Sequence, residues 1–146
     1  MKTTCTAGIA MGFVALLALL TVGCGRVKQA AEKTRNTNEL KHIALLYQNY
    51  LDINHAAPAN ADDLLKIASS DPQAVQAVQQ AKSGKYVILW GATTSEMQKN
   101  PQGSSGTILG YEKDVPTAGG LVLMGDGGVK NMTAAEFQSA PKATGK

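Results

Sequence analysis

From Val27 to Ile53 the chain runs for 27 residues without a glycine or a proline. So long a stretch without punctuation exceeds any ordinary strand and predicts one long helix, loosened at Asn36–Asn38 where short polar side chains cluster. Its second half carries Leu40, Ile43, Ala44, Tyr47, Tyr50, Leu51 and Asn54 at spacings of three and four. These fall on one side of a helix, while Lys41, Gln48, Asn49 and Asp52 fall mostly off it. A one-sided stripe means that the helix lies against something. The stretch Asn54–Pro58 ends it, because the residue before proline is pushed out of helical geometry.

Two short helices should follow. Asn60 reads as the cap of a helix over 61–69, with Asp63 placed as in a capping box. Asp71-Pro72 opens an Ala/Gln/Val helix to about Lys82, which Gly84 terminates. The period then changes. Lys85–Ala92 (KYVILWGA), Thr107–Glu112 and Leu121–Met124 are short runs rich in β-branched or apolar residues and read as strands. Asp126-Gly127-Gly128 is a hairpin turn returning as Val129–Met132. The polar stretch 93–105 reads as an exposed loop, Thr133 and Glu136 as the capping box of a last helical turn ending near Ser139, and 140–146 as a loose tail. Strands that follow helices rather than alternate with them predict an α+β fold: a long helix and two short ones packed on an antiparallel sheet of about four strands.

The N-terminus has a different character. Lys2 is the only charge before Arg26, so residues 3–25 form an uncharged run whose centre, Gly8–Leu20, is apolar. That is the pattern of a signal peptide. The run ends Leu20-Thr21-Val22-Gly23-Cys24-Gly25, which resembles the lipobox of bacterial lipoproteins. The resemblance implies cleavage between Gly23 and Cys24, lipid on the Cys24 thiol, and a membrane anchor built from acyl chains. Gly25 stands where an Asp would signal inner-membrane retention, which favours the outer membrane. Two rivals remain: an uncleaved membrane-spanning helix, and a prepilin leader cut between Gly12 and Phe13. The spanning helix would have to end in Gly23 and Gly25, both poor helix residues. The leader would want Glu where Leu17 stands. The organisation expected is a signal over 1–23, a lipidated tether over 24–36, an α+β domain over 37–139 and the tail.

Charge and cysteine usage exclude several classes of function. Fourteen Lys and Arg against eleven Asp and Glu leave a net of +3, too weak and too scattered for nucleic-acid binding. The two cysteines, Cys5 and Cys24, both lie in the N-terminal run, so no disulfide staples the body. With two histidines and no cysteine beyond Cys24, a His/Cys metal site is nearly excluded.

The order of elements and certain residues resemble the soluble part of pseudopilins, in particular the pseudopilin-like family named for an H-x9-DG motif. The matching text at the helix is Asn38-Glu39-Leu40-Lys41-His42-Ile43-Ala44-Leu45, with Tyr47, Tyr50 and Pro58. At the other end it is Gly120-Leu121-Val122-Leu123-Met124-Gly125-Asp126-Gly127-Gly128-Val129. The motif histidine would fall at position 116, which is Pro116. The resemblance implies a pilin-like head on a lipid tether, joined to an envelope, secretion or pilus-like assembly through contact with a protein partner.

Some pseudopilins hold calcium near the last hairpin, and Asp126 with Asp114 or Glu112 would be the matching oxygen donors here. The competing reading is that Asp126-Gly127 is only a turn. His42 beside the stripe and His55 after it are thirteen residues apart, with no nucleophile tied to them. Serines 69, 70, 104 and 105 lie in turn-like contexts, so catalysis is not expected. Tyr86, Ile88 and Trp90 should face the long helix, Val87 and Leu89 the other way in need of cover. Lys82, Lys85 and Lys99 read as a solvated rim.

Overall fold

The computed structural model describes residues 12–68 and 70–145, with side chains from Arg26 onward. Cys5 and Ser69 lie outside the described residues, and Gly23 and Cys24 outside those with described side chains. Backbone packing divides the chain into two compact units, Met1–Arg35 and Asn36–Lys146. Helix α1 (Gly12–Asn54) contributes to both and is continuous through Asn36–Asn38, where loosening was expected. In the first unit, residues 26–35 are all exposed. Among the described residues no helix is long and apolar enough to cross a membrane.

The second unit continues with α2 (Ala61–Ala68), α3 (Pro72–Lys82), β1 (Tyr86–Ile88), α4 (Thr94–Gln98), α5 (Gly103–Gly106), β2 (Ile108–Glu112), α6 (Val115–Ala118), β3 (Gly120–Met124), β4 (Val129–Met132) and α7 (Ala134–Ser139). The strands form one antiparallel sheet in the order β1-β2-β3-β4. The unit is α+β, as the residue pattern predicts.

Local chemistry explains the boundaries. Asn60 Oδ1 accepts the amides of Asp62 and Asp63 to start α2, while the Asp63 carboxylate reaches back to the Ala59 amide. Asp71 accepts the amides of Gln73 and Ala74, and Pro72 occupies the first helical position. Gly84 ends α3 at φ +85, and the amides of Gly84 and Lys85 return to the carbonyls of Ala81 and Gln80. Thr133 and Glu136 form the full reciprocal box before α7.

The sheet is buried on both faces. Tyr86, Ile88, Leu109, Leu121 and Leu123 face a core shared with Leu40, Ile43 and Tyr47 of α1, Leu64 of α2 and Val78 of α3. Ile108, Val122 and Met124 face a second core closed by Val115 of α6 and Phe137 of α7. A bulge between Ile108 and Gly110 shifts the alternation, which turns Tyr111 to the second face, edge-on to Phe137 with ring centroids 4.7 Å apart.

Three expectations need correction. The stretch 93–105 is not an exposed loop. Thr93 and Glu96 cap α4 with a capping box, and Met97 is buried against the first core. The strand over 85–92 is shorter than its composition implies and ends at Ile88. Leu89 therefore escapes the alternation and packs on the first core, and Trp90 is half-buried, stacked on Tyr47 with ring centroids 6.3 Å apart. The tail is not loose. Ile108 pairs with Lys142 in parallel, the Ile108 amide donates to Pro141 O and the Ala143 amide to Ile108 O, and Ala143 is buried. Beyond Leu89 the chain leaves the side of β2, and the tail takes that edge.

Candidate functional site

The densest polar constellation joins α1 to the β1–β2 end of the sheet. Asn36 and Glu39, one helical turn apart, point from the buried side of α1. Lys85 Nζ, just before β1, donates to Glu39 Oε2 and to Asn36 Oδ1, each at 2.7 Å. The Tyr86 hydroxyl donates to Glu39 Oε2 at 2.6 Å. Asn36 Nδ2 donates to Glu112 Oε1 at 2.8 Å, and Glu112 Oε2 accepts the Leu121 amide at 2.8 Å. A continuous chain of charge-assisted bonds thus runs from the helix through β1 and β2 to β3.

An open depression of about 420 Å³ lies over this chain, lined by Asn36, Lys85, Glu112, Lys113 and Asp114, with Gly119 at its rim. Two cations and two carboxylates face it, so the floor is close to neutral. Lys85 is therefore no part of a solvated rim: its side chain is 24% exposed and bound inward. Lys82 pairs with Asp62 at the surface, and Lys99 is exposed. Glu39, which the sequence reading passed over, is 6% exposed. Its position beside Leu40 and one turn before Ile43 placed a carboxylate on the apolar side of the helix, and that was the available signal.

The three calcium donors are not brought together. Glu112 binds the amide at the start of β3, whereas Asp126 lies beyond its end, some 16 Å away at about 3.3 Å per residue. Asp126 Oδ1 accepts the Gly128 amide at 2.9 Å, closing its own turn, with Gly127 at φ +86. Of the three, only Glu112 and Asp114 line the depression. Among the described residues no three His, Cys, Asp or Glu side chains stand close enough to hold a metal ion.

The histidines are equally separate. His42 Nδ1 lies 3.7 Å from Asp71 Oδ2, at a surface where Asn38, Lys41 and Leu45 line a shallow depression of about 210 Å³. His55 caps the end of α1 at φ 54, its amide donating to Leu51 O. Ser104 and Ser105 lie in α5, and neither meets a histidine through a hydrogen bond. A further buried polar contact holds Trp90–Ala92 against α1: the Tyr47 hydroxyl donates to Ala92 O at 2.9 Å and accepts from the Ala92 amide at 3.0 Å. Burial pushes the Tyr47 phenol up to about 12, the Glu96 carboxylate adding to the rise and the Ala92 bond opposing it.

Comparison with protein-family models, with curated proteins and with solved structures finds no match for this chain. The functional reading therefore stands on residues and geometry.

Proposed function

We propose that this is a lipid-anchored envelope protein whose head, Asn36–Lys146, is pilin-like and works by contact with a protein partner rather than by catalysis. One observation carries the reading. A segment with lipobox-like spacing at Cys24 leads through α1 into a self-contained α+β unit whose four antiparallel strands close on the Asp126-Gly127 hairpin. The polar groups that the unit concentrates, at Asn36, Glu39, Lys85 and Glu112, are bound to one another and hold α1 to the sheet. Such a head presents surfaces more than a reacting centre. The sheet's open side is β4, where Lys130 and Asn131 are exposed; the other flank is occupied in part by the tail.

The intact mass of the protein extracted from its host's membrane fraction tests the anchor. Loss of residues 1–23 with a gain of acyl mass is the expected result. A species beginning at Phe13 would make it a filament-type pseudopilin, and an uncleaved, unacylated chain would overturn the lipid anchor. A photocrosslinker at Asn131 tests the contact. A discrete adduct in the envelope is expected there, and its absence with a crosslinker at exposed Lys99 yielding one would move the contact surface elsewhere.

A further inference from the structure

The first helical turns after Cys24 are strongly basic and wholly exposed. Between Arg26 and Arg35 the chain carries Arg26, Lys28, Lys33 and Arg35 against Glu32 alone, which accounts for the whole net charge of the protein. All ten residues are exposed in α1. Arg26 and Lys33 are seven apart and share one side of the helix. Lys28 and Arg35, also seven apart, share another, about 160° round the axis. Basic charge therefore stands on two opposite sides of the helix. Between the charges Val27, Ala30, Ala31 and Thr34 share one side at spacings of three and four, but only Val27 is large and apolar, so they make no strongly apolar stripe. A helix meant to lie flat in a bilayer surface needs such a stripe on one side and its charges on the other.

We propose that residues 26–35 form a basic collar that engages anionic lipid headgroups where the chain leaves its lipid anchor. The inference rests on the anchor reading above, which sets the collar immediately beyond the lipid. Dimensions support it. The collar spans about 14 Å at 1.5 Å per residue. A headgroup layer is about 5–7 Å deep, and the surface potential of an anionic bilayer extends about 8 Å beyond it at physiological salt. The basic charge thus covers the zone in which attraction acts. Acyl chains set how firmly the protein is held, and the collar sets which headgroups surround it.

The test uses the purified full-length Cys24→Ser chain, which cannot be acylated, added from detergent to vesicles and read by flotation. Vesicles of phosphatidylcholine are compared with vesicles holding about one-third phosphatidylglycerol. The apolar run contributes equally to both, so the ratio of partition coefficients reports the headgroups. At about fivefold for each net basic residue, the anionic vesicles should win by roughly a hundredfold at low salt. That preference should collapse in ~1 M salt. It should also collapse in the chain carrying Arg26→Gln, Lys28→Gln, Lys33→Gln and Arg35→Gln, whose thermal midpoint is measured alongside so that loss of charge is told apart from loss of fold. Equal partition into both vesicles would overturn the proposal, and so would a preference that survives all four substitutions. Because the variant carries no lipid, this result is independent of the intact-mass result. A chain that is never acylated but prefers anionic vesicles would sink the anchor and keep the collar.

Discussion

Glu39 Oε2 accepts Lys85 Nζ at 2.7 Å across 46 positions of sequence, inside the apolar contact between α1 and the sheet. Desolvation makes such a pair costly to form, and costlier still to leave half-made. Lys85→Met, which removes the cation beside a carboxylate only 6% exposed, should destabilise the protein by ~3 kcal/mol. Glu39→Leu should cost a similar amount, because Lys85 and Tyr86 then lose their shared acceptor. The double variant should cost far less than the two together. Denaturant unfolding of all three supplies the cycle, and additive costs would mean that the ion pair contributes nothing to the joint between helix and sheet.

Tyr47 makes stability depend on pH at the alkaline end. The phenol titrates near 10.0 when unfolded and at about 12 in the fold. A raised folded value means that its contribution is complete below pH 10.0 and is lost as pH rises towards 12. The loss is at most about 3 kcal/mol for a side chain with no exposure. Tyr47→Phe should flatten that part of the stability profile and cost ~1–2 kcal/mol at neutral pH, since both polar groups of Ala92 lose their partner. A tyrosinate absorbance titration in which every tyrosine ionises near 10 would contradict the buried hydrogen bond.

The C-terminal tail should behave as part of the sheet. Its two backbone bonds to Ile108 predict slow amide exchange at Ile108 and Ala143, against fast exchange at Thr144. Removing residues 141–146 uncovers the edge of β2 and takes Lys142 from the carbonyls of Phe137 and Ala140 at the end of α7. The truncated chain should lose ~2–3 kcal/mol, from two buried bonds and the burial of Ala143. Unchanged melting would return the tail to the loose segment that its composition suggests.

Much of the fold was legible wherever a local rule acts alone. Stripe spacing placed Leu40, Ile43, Ala44 and Tyr47 in the core, and the caps at Asp71 and Thr133 and the stops at Gly84 and Gly127 fall where turn chemistry puts them. Thr93-Thr94-Ser95-Glu96 has the same capping-box spacing as Thr133–Glu136, and α4 was missed because polar composition outweighed that signal. The second core was not legible. It depends on a bulge between Ile108 and Gly110 that reverses which residues face which way, and on helices of four and six residues, too short for any period to show. The polar chain from Asn36 to Glu112 was hidden for a related reason. The bonds that join α1 to the sheet span 46 to 76 positions, and only the tertiary register of α1 against β1 and β2 brings their partners together. The calcium grouping failed in the opposite sense: Glu112 and Asp126 are close in sequence, but an extended strand separates them.

Two glycines with nearly the same φ should respond differently to a methyl group. Gly84 has φ +85, where alanine is strained by about 1–2 kcal/mol, whereas Gly119 has φ +74 with ψ 173, a region essentially confined to glycine. At Gly84 an added Cβ meets nothing within 4 Å, whereas at Gly119 it would stand 2.7 Å from Met132 O and 3.2 Å from Thr133 Cα. The Met132 carbonyl is backbone at the end of β4 and cannot swing aside as a side chain would. Gly84→Ala should therefore cost no more than the strain itself, and Gly84→Asn less, because asparagine tolerates this conformation. Gly119→Ala should cost clearly more, ~3 kcal/mol, from its glycine-only backbone conformation together with the approach to Met132 O. Denaturant midpoints of the three variants give the comparison. Equal costs for the two alanines would mean that the α6–β3 turn relaxes away from Met132, and that the second face of the sheet is held less tightly than the contacts of Val115 and Phe137 imply.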